Sequence, residues 1–523
     1  MTPSRLQRPR AEDEPRFVPD FWVDEAIWGH RLHDEQTPWL AFLEFLVVLD
    51  AEEREGRGLR ETTPNTLSYS PPQRLWLRNV LFNNPRLLTI AQEVPDDEGR
   101  WRRWSVHMTQ TADGLGELGE GRDFTYLQDR FVSFEEFVGV VQLLRSTAIE
   151  GDSNKRWSSK FVFPYGPAAL YEDLNVKGKG AGSNDRRFFG RVGELVYLMM
   201  ARSDRSDALL KRLRPLLLDD DTRWNRLVAA FERDEEKRPS RENAYLPYAS
   251  LPDFEMFAED WIGVLDCGMP GYDAVPHLVD LLGLHVLLYL LRRAREWAEP
   301  ADPLVRMVLE VIAPRRTTIR ELAVDTYHAN DLLSEGAVLS YVRSVVEENP
   351  EWQKALAAQE PFEAAKAFLK RELSASRYLD KYDELQNPIT LLEHLKGKVL
   401  KRHQGQVGNV HRQYARAIGL ASRRGTRQIR YAPNDRFLKS LVLARVSQRM
   451  EFKDFLRVLY DRYGMVVGHL QAQSYINRGR CDQEAFEENA RRLEMRLASL
   501  GLLTRLSDAC AYVQNPYATE DAP

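Results

Sequence analysis

The chain has 523 residues, of which 43% are hydrophobic and 29% are charged, and its formal net charge is -5 at pH 7. This length is too great for one ordinary core and predicts several domains, while the composition excludes a protein that is disordered throughout. The three cysteines (Cys267, Cys481 and Cys510) are far apart and form no CxxC pair, so neither a disulfide framework nor a structural zinc site is indicated, and a cytoplasmic location is predicted.

The N-terminal part predicts a disordered lead-in followed by a mixed α/β domain. Residues 1–16 are charged and proline-rich and lack the apolar region of a signal peptide. The predicted domain covers residues 17–150. Its first convincing helix has Thr37 in position to cap the first turn, and Pro38 suits the first helical position.

Two further signals fall inside this first domain. The sequence SFEE has capping-box spacing between Ser133 and Glu136, which predicts the start of a helix. The stretch WSVHMTQ at 104–110 is β-like and predicts a small β component in the N-terminal half.

The middle of the chain predicts two helical domains, residues 151–300 and 301–430. The most apolar run, at 278–291, is short for a membrane span and contains Asp280 and His285. We therefore expect a buried helix there and no membrane partner. The fold class predicted for the whole chain is mainly α-helical and multi-domain.

The C-terminal part has the most legible order of elements. Asn434 is placed to cap one helix, and Gly464 is placed to end the next. A β-like MVVG, a helix over DQEAFEENARRLEMRLASLG and two short strands in LLTRLSDACAYVQ follow. The predicted domain covers residues 431–516 and leaves a tail at 517–523.

This order resembles a winged-helix module over residues 435–516, especially in RLEMRLASLGLLTRLSDACAYV. More loosely, the whole chain resembles the large uncharacterised subunits encoded with bacterial restriction and phage-defence systems. These resemblances imply a DNA-associated subunit. Winged helices also mediate protein contacts, and Glu487, Glu488 and Glu494 on the third helix would repel phosphates, so both roles stay open.

A basic strip at 394–434 contains ten Lys or Arg and no Asp or Glu. Such one-sided charge is typical of a surface that contacts the nucleic-acid backbone. Docking on an acidic partner or on another part of this acidic chain, and a plain solvated surface, are the alternatives. The predicted contact residues are Lys398, Lys401, Arg402, Arg412, Arg416, Arg423, Arg424, Arg427 and Arg430.

A second basic segment, 153–194, interleaves cations with aromatic residues and contains the loop GKGAGS at 178–183. Aromatic rings can stack on bases while cations hold phosphates, although the loop lacks the Walker A spacing. A flexible loop beside an aromatic core strand is the alternative. The predicted contact residues are Lys155, Arg156, Trp157, Lys160, Lys177, Lys179, Arg186 and Arg187.

The sequence contains no GxSxG, HExxH or complete dinucleotide fingerprint, so we predict no catalytic residue, metal or cofactor. Two acidic and histidine-containing groups are more simply solvated or turn-capping residues than metal ligands. They are Glu321, Asp325 and His328, and Asp24, Glu25, His30, His33, Asp34 and Glu35.

The leading hypothesis is a non-catalytic DNA-associated subunit of a bacterial restriction or anti-phage defence complex. It would position partner enzymes, such as an ATPase or a nuclease, on DNA. The alternatives are a nuclease or other nucleic-acid enzyme with a dispersed active site, and an assembly scaffold that binds only protein.

Overall fold

The protein is mainly α-helical, which confirms the predicted fold class. A computed structural model describes residues 6, 21–30, 32–33, 36–70, 72, 74–111, 123–146, 166–170, 192–219, 221–233, 241–242, 244–302, 304–311, 317–423, 428–507 and 510–518. The helices in the N-terminal half are α1 Asp24–Trp28, α2 Pro38–Arg54, α3 Leu75–Phe82, α4 Leu87–Glu93, α5 Asp97–Thr111, α6 Phe134–Ser146, α7 Val192–Ala201, α8 Ser206–Leu213, α9 Arg223–Ala229 and α10 Pro252–Leu265.

The later helices are α11 Gly271–Ala298, α12 Thr318–Val342, α13 Pro350–Leu356, α14 Pro361–Leu373, α15 Ser376–Leu379, α16 Pro388–Gln404, α17 Val410–Ala417, α18 Asp435–Arg445, α19 Phe452–Tyr463, α20 Gln473–Ile476 and α21 Gln483–Ser499. The strands are β1 Ser68–Tyr69, β2 Arg241–Glu242, β3 Met307–Val308, β4 Ala421–Ser422, β5 Arg430–Tyr431, β6 Met450–Glu451, β7 Met465–Val466, β8 Leu503–Ser507 and β9 Cys510–Val513.

The predicted helix caps are confirmed. The side chain of Thr37 accepts a hydrogen bond from the backbone N–H of Leu40 at 3.5 Å, and Asn434 accepts one from Phe437 at 2.8 Å. Ser133 accepts a hydrogen bond from the Glu136 N–H at 3.2 Å. These polar side chains satisfy N–H groups that have no partner within the helix, and so fix where each helix begins.

Gly464 ends α19 as predicted, with a positive φ of 71°. A Cβ atom at this position would lie 2.0 Å from the backbone oxygen of Val305. Both the left-handed backbone and the close approach of a neighbouring chain segment therefore require glycine here.

The β-like stretch at 104–110 lies inside α5, so that part of the prediction is wrong. Trp101, Trp104 and Met108 are all buried, and they are spaced three and four residues apart. This is the spacing of one helical face, and it outweighs the local alternation of polar and apolar residues. The β component of the N-terminal half is instead the short pair β1 and β2.

One aromatic-rich core belongs to the N-terminal half. It is formed by α3 to α6, residues 166–170 and residues 221–233. The Glu232 carboxylate accepts hydrogen bonds from the backbone N–H groups of Trp76 and Leu77 at 3.2 and 3.0 Å, and so caps the start of α3. Chain segments from both sides of the predicted boundary at 150 therefore share this core.

The main core is organised around α11. Among the described residues, α11 alone is long and apolar enough to span a membrane, and most of its apolar window is buried inside the protein, which confirms the predicted buried helix. The cluster of buried side chains around it runs from Phe21 to Val513 and includes the C-terminal helices α18, α19 and α21. The C-terminal part therefore shares its core with the central helices.

A buried carboxylate strengthens this junction. Asp260 of α10 is fully buried and lies 2.7 Å from His285 of α11 and 2.7 Å from the Tyr463 hydroxyl of α19. Arg462 donates a further hydrogen bond to it at 3.0 Å. Burial raises the pKa of Asp260, but these hydrogen bonds and positive charges outweigh burial and hold it below its usual range.

The C-terminal strands form a three-stranded antiparallel sheet in the order β6, β9, β8. Besides β1 with β2, the described strands form the antiparallel pair β4 with β5 and the parallel pair β3 with β7. Because β3 lies at 307–308, the pairing with β7 also attaches the C-terminal part to the middle of the chain.

Candidate nucleic-acid interface

The described residues of the basic strip at 394–434 include most of α16, all of α17 and the antiparallel strands β4 and β5. Both helices pack against α12, and α17 also packs against α11. Their apolar side chains, including Leu395, Val399 and Tyr414, are buried against these helices. The charged residues of the strip are therefore divided between the surface packed against α11 and α12 and the surface that faces solvent.

His403, at the end of α16, anchors the first half of the strip. Its Nδ1 atom lies 2.8 Å from Asp24 Oδ1, and its Nε2 atom lies 3.0 Å from Ser334 Oγ. All three residues are buried, and the Trp28 ring stacks on the imidazole with centroids 5.6 Å apart. Burial raises the pKa of Asp24, but His403 and Arg402 together lower it by more, so the net shift of this pKa is downward.

Arg402 is part of the same buried arrangement. Its guanidinium donates to Glu25 at 2.5 Å and to Asp24 at 3.4 Å, and it also donates to the backbone oxygen of Phe21. Its side chain is only 14% exposed. Arg402 therefore binds another part of this acidic chain, which was one of the alternatives for the strip, and it does not present its charge to solvent.

His411 and Tyr431 anchor the second half of the strip. His411 Nδ1 lies 2.9 Å from Asp331, and its Nε2 atom lies 2.7 Å from the Tyr431 hydroxyl. Asn330 also donates to that hydroxyl at 2.9 Å. Asn330, Asp331 and Ser334 all belong to α12, so one helix supports both anchors.

Two further arginines of the strip have acidic partners. Arg430 is fully buried and ion-paired with Glu310, which also accepts a hydrogen bond from Arg320 at 2.8 Å. Arg430 therefore cannot reach a phosphate in this structure. Arg412 lies 3.0 Å from Asp331, but its side chain is 47% exposed, so part of its charge remains accessible.

Lys396 is only 17% exposed and pairs with Glu347 at 2.5 Å and with Glu393 at 2.8 Å. The other described cations of the strip face solvent. Lys398 lies over the Tyr378 ring at 5.8 Å and is exposed. Lys401, Arg416 and Arg423 are exposed too, and none of the three forms an ion pair within the described part of the chain. Arg424 and Arg427 lie outside the described residues.

The second basic segment cannot be placed in the same way. Between 147 and 191 the structure describes only Gly166–Leu170, whose Ala168 N–H donates to Asn225 at 2.7 Å. All eight predicted contact residues lie outside the described residues: Lys155, Arg156, Trp157, Lys160, Lys177, Lys179, Arg186 and Arg187. Their role stays a prediction.

Several charged side chains of helix α21 are paired, within the helix or with neighbouring elements. Arg491 lies 2.7 Å from Glu488, and Arg496 lies 2.6 Å from Asp435 at the start of α18. Glu494 faces Arg505 of β8 at 3.7 Å. Its surface therefore offers little net positive charge to a phosphate backbone.

The described members of the two acidic groups considered as metal ligands do not come together as a site. No cluster of three or more potential metal-ligating His, Cys, Asp or Glu side chains occurs among the residues that the structure describes. Asp325 instead pairs with Arg480 at 2.5 Å, and Asp24 and Glu25 hold the strip. Asp34 and Glu35 lie outside the described residues.

The structure also shows residues that the sequence did not single out. Ser334, Asp331, His403, His411 and Tyr431 position the strip, although none of them carries its exposed charge. The one local signal was the presence of three histidines inside a segment without carboxylates, since such histidines need acidic or hydroxyl partners from elsewhere when they are buried, as His403 and His411 are.

Comparison with known families places this region in a biological context. Residues 343–517 match the family model described as methylation-associated defense system protein MAD7. The match covers about one third of the chain and includes the whole basic strip and nearly all of the C-terminal segment. It supports a component of a phage-defence system, in agreement with the looser resemblance drawn from the sequence. No curated protein matches the chain.

Proposed function

We propose that this chain is a non-catalytic, DNA-associated subunit of a methylation-associated defence system and positions partner enzymes on DNA. The observation that carries the proposal is the set of exposed cations on the strip. Lys401, Arg416 and Arg423 face solvent without an ion-pair partner in the described part of the chain. Their neighbours Lys398 and Arg412 are also exposed.

Cations without acidic partners are available to replace the counterions of a phosphate backbone. Each such contact releases counterions and adds roughly 0.9 to the slope of log affinity against log salt on duplex DNA. The buried anchors at His403 and His411 fix α16 and α17, so the exposed side chains start from a rigid base. Less ordering is then needed when DNA binds.

We further propose that residues 435–516 form a winged-helix module. The strand order β6, β9, β8 and the placement of α18, α19 and α21 between and around these strands support this assignment. The ion pairs of α21, one within the helix and one to Asp435 of α18, favour contact with protein or a structural role over insertion of this helix into a DNA groove.

The decisive experiment compares two charge-reversal variants of equal net charge. In the strip variant, Lys401, Arg416 and Arg423 are replaced by Glu. In the control variant, three exposed cations that pair with acids elsewhere, Arg343, Lys354 and Lys453, are replaced by Glu. Binding to two unrelated duplex sequences is measured at several salt concentrations.

We expect the strip variant to lose affinity for both sequences equally and its log-log salt slope to fall by roughly two to three. The control variant should keep the wild-type slope. An unchanged slope in a well-folded strip variant would contradict the proposal. Release of a protein partner by the strip variant, with DNA affinity intact, would favour the protein-only scaffold instead.

A further inference from the structure

Two large aliphatic side chains project into solvent at the start of α16. Leu385, in the loop before the helix, is 72% exposed, and Ile389, in the first turn, is 52% exposed. Single exposed leucines are common on soluble proteins, but two of them four residues apart on a fixed segment are a candidate anchor for another molecule.

The segment that carries this pair is held in place. The backbone oxygen of Leu385 accepts hydrogen bonds from the Asn387 N–H at 2.8 Å and from the Tyr382 hydroxyl at 3.2 Å. The Tyr382 ring packs near the rings of Phe362, Tyr378 and His394, with centroids 6.1 to 6.3 Å apart.

Asn387 fixes the other end of the segment. Its side-chain oxygen accepts from the N–H groups of Ile389 and Thr390 at 2.9 and 3.1 Å. The exposed pair is thus presented on an ordered turn, which reduces the entropy that binding would cost.

Acidic side chains surround the exposed pair. Asp383 is exposed and forms no ion pair with any residue that the structure describes. Glu384 is 54% exposed and pairs with His394, while Glu393, one helical turn after Ile389, is 62% exposed and pairs with Lys396. These three carboxylates form the acidic rim of the pair and outnumber the one Lys or Arg of residues 381–393, the exposed Lys381, so the surface suits DNA poorly.

We propose that Leu385 and Ile389 form a docking knob for a different protein subunit of the defence assembly. That subunit would offer an apolar pocket rimmed by Lys or Arg, because such a rim complements Asp383 and its acidic neighbours. A second copy of this chain is a poorer occupant, since a symmetric contact would bring the acidic rims together. The identity of the partner as a defence subunit rests on the proposed function.

The position of the docking knob gives it a mechanical role. Ile389 and Lys401 lie on the same helix, α16, twelve residues apart, which corresponds to roughly 18 Å along its axis. One rigid helix would therefore hold a protein partner near its first turn and DNA phosphates near its last turns. This arrangement fixes the distance between the bound enzyme and the DNA.

The test uses the full chain, tagged and co-expressed with the proteins encoded beside it in its defence system. The docking-knob variant carries Leu385→Asp and Ile389→Asp. The matched control carries Leu332→Asp, because Leu332 is similarly exposed, at 63%, but lies on α12. Affinity for the co-purifying subunit and for duplex DNA is measured separately with each purified protein.

We expect the docking-knob variant to bind that subunit at least tenfold more weakly and DNA with wild-type affinity, whereas the control should bind both normally. Failure of the wild-type protein to bind DNA would contradict the proposed function but not the docking proposal. Full retention of the subunit by the docking-knob variant would overturn the docking proposal. So would wild-type self-association, seen by light scattering, that the variant abolishes.

A third variant, Asp383→Lys, guards against misfolding, since Asp383 is exposed and unpaired within the described structure. Reversing one rim charge should weaken binding of the subunit severalfold at low salt and less at high salt. Equal affinity of this variant and the wild type at every salt concentration would exclude a basic-rimmed partner.

Discussion

The Nδ1 atom of His403 lies 2.8 Å from a carboxylate oxygen of Asp24, a residue 379 positions earlier in the chain. Through this contact the first described helix holds the end of α16. Because both residues are buried, neither can exchange its partner for water without opening the structure.

We expect Asp24→Ala to destabilise the fold by about 2–4 kcal/mol, since it leaves His403 and Arg402 buried without this carboxylate. Chemical denaturation measures the change in the free energy of unfolding. Asp383→Ala, which removes an exposed carboxylate, should change it by less than about 0.5 kcal/mol. Equal effects of the two substitutions would show that the Asp24 contact adds no stability.

A second prediction concerns the buried ion pair of Glu310 with Arg430. Glu310→Leu should cost about 3–5 kcal/mol, because it leaves a fully buried guanidinium uncompensated. Adding Arg430→Met should restore part of the lost stability, since the pair is then replaced by apolar groups. Thermal and denaturant unfolding of the wild type, both single variants and the double variant completes the cycle. Strictly additive losses would contradict this coupling.

The buried arginines show which features of the fold the sequence does not predict, namely ion pairs between distant parts of the chain. Caps such as Thr37 and Asn434 could be placed from the sequence because their chemistry is local, whereas the role predicted for the surface of 394–434 stays a prediction. The pairing of Arg402 with Glu25 and of Arg430 with Glu310 could not be predicted from the sequence, because each partner is more than a hundred residues away. A charge count does not reveal which charges fold inward.

Helix α5 shows why a short stretch of sequence can be mistaken for a strand. Its sequence alternates polar and apolar residues over a short stretch, and only the longer spacing of Trp101, Trp104 and Met108 distinguishes a helix from a strand. In the C-terminal part, the order of the helices and strands was predictable from the sequence, but the way they attach to the middle of the chain was not. The pairing of β7 with β3 depends on a strand of two residues far upstream.

A third prediction follows from two neighbouring titratable residues at the junction of α11 and α18. Burial raises the pKa of Asp280 to about 6, although Arg436 opposes the shift. Burial, together with Lys439 and Arg436, lowers the pKa of His277 to about 4. Ser440 Oγ links the two groups, at 2.8 Å from His277 and 3.2 Å from Asp280.

The two shifts have opposite effects on stability in the same pH range. The contribution of Asp280 is fully present below its ordinary pKa of 3.8 and is lost as the pH rises through about 6. The contribution of His277 is fully present above its ordinary pKa of 6.5 and is lost as the pH falls through about 4. In the wild type the two effects largely cancel.

Single substitutions should therefore expose each effect. As the pH falls from 6.5 to 4, Asp280→Asn should lose stability relative to the wild type, and His277→Gln should gain it, by up to about 2–3 kcal/mol each. Unfolding free energies measured at closely spaced pH values test this. Parallel pH profiles for the wild type and both variants would contradict the assigned shifts.

The last prediction concerns catalysis. The carboxylates considered as metal ligands have other partners: Asp24 and Glu25 pair with Arg402, and Asp325 pairs with Arg480. We therefore expect the purified chain alone to neither hydrolyse ATP nor cut DNA in the presence of Mg²⁺ or Mn²⁺. Turnover of radiolabelled ATP and nicking of supercoiled plasmid are sensitive measurements of the two activities.

A contaminating nuclease is the main confounder, so any activity is followed through repurification and through substitution of the acidic and histidine groups. The variants to test change Asp24, His30, Glu321 or Asp325 to Ala, and cleavage that survives repurification but is lost on changing Glu321 or Asp325 would establish the rival nuclease function. Asp24→Ala and His30→Ala could act by unfolding the protein, because both residues are buried. Loss of activity is therefore decisive only in the Glu321 and Asp325 variants, whose side chains lie on the exposed face of α12.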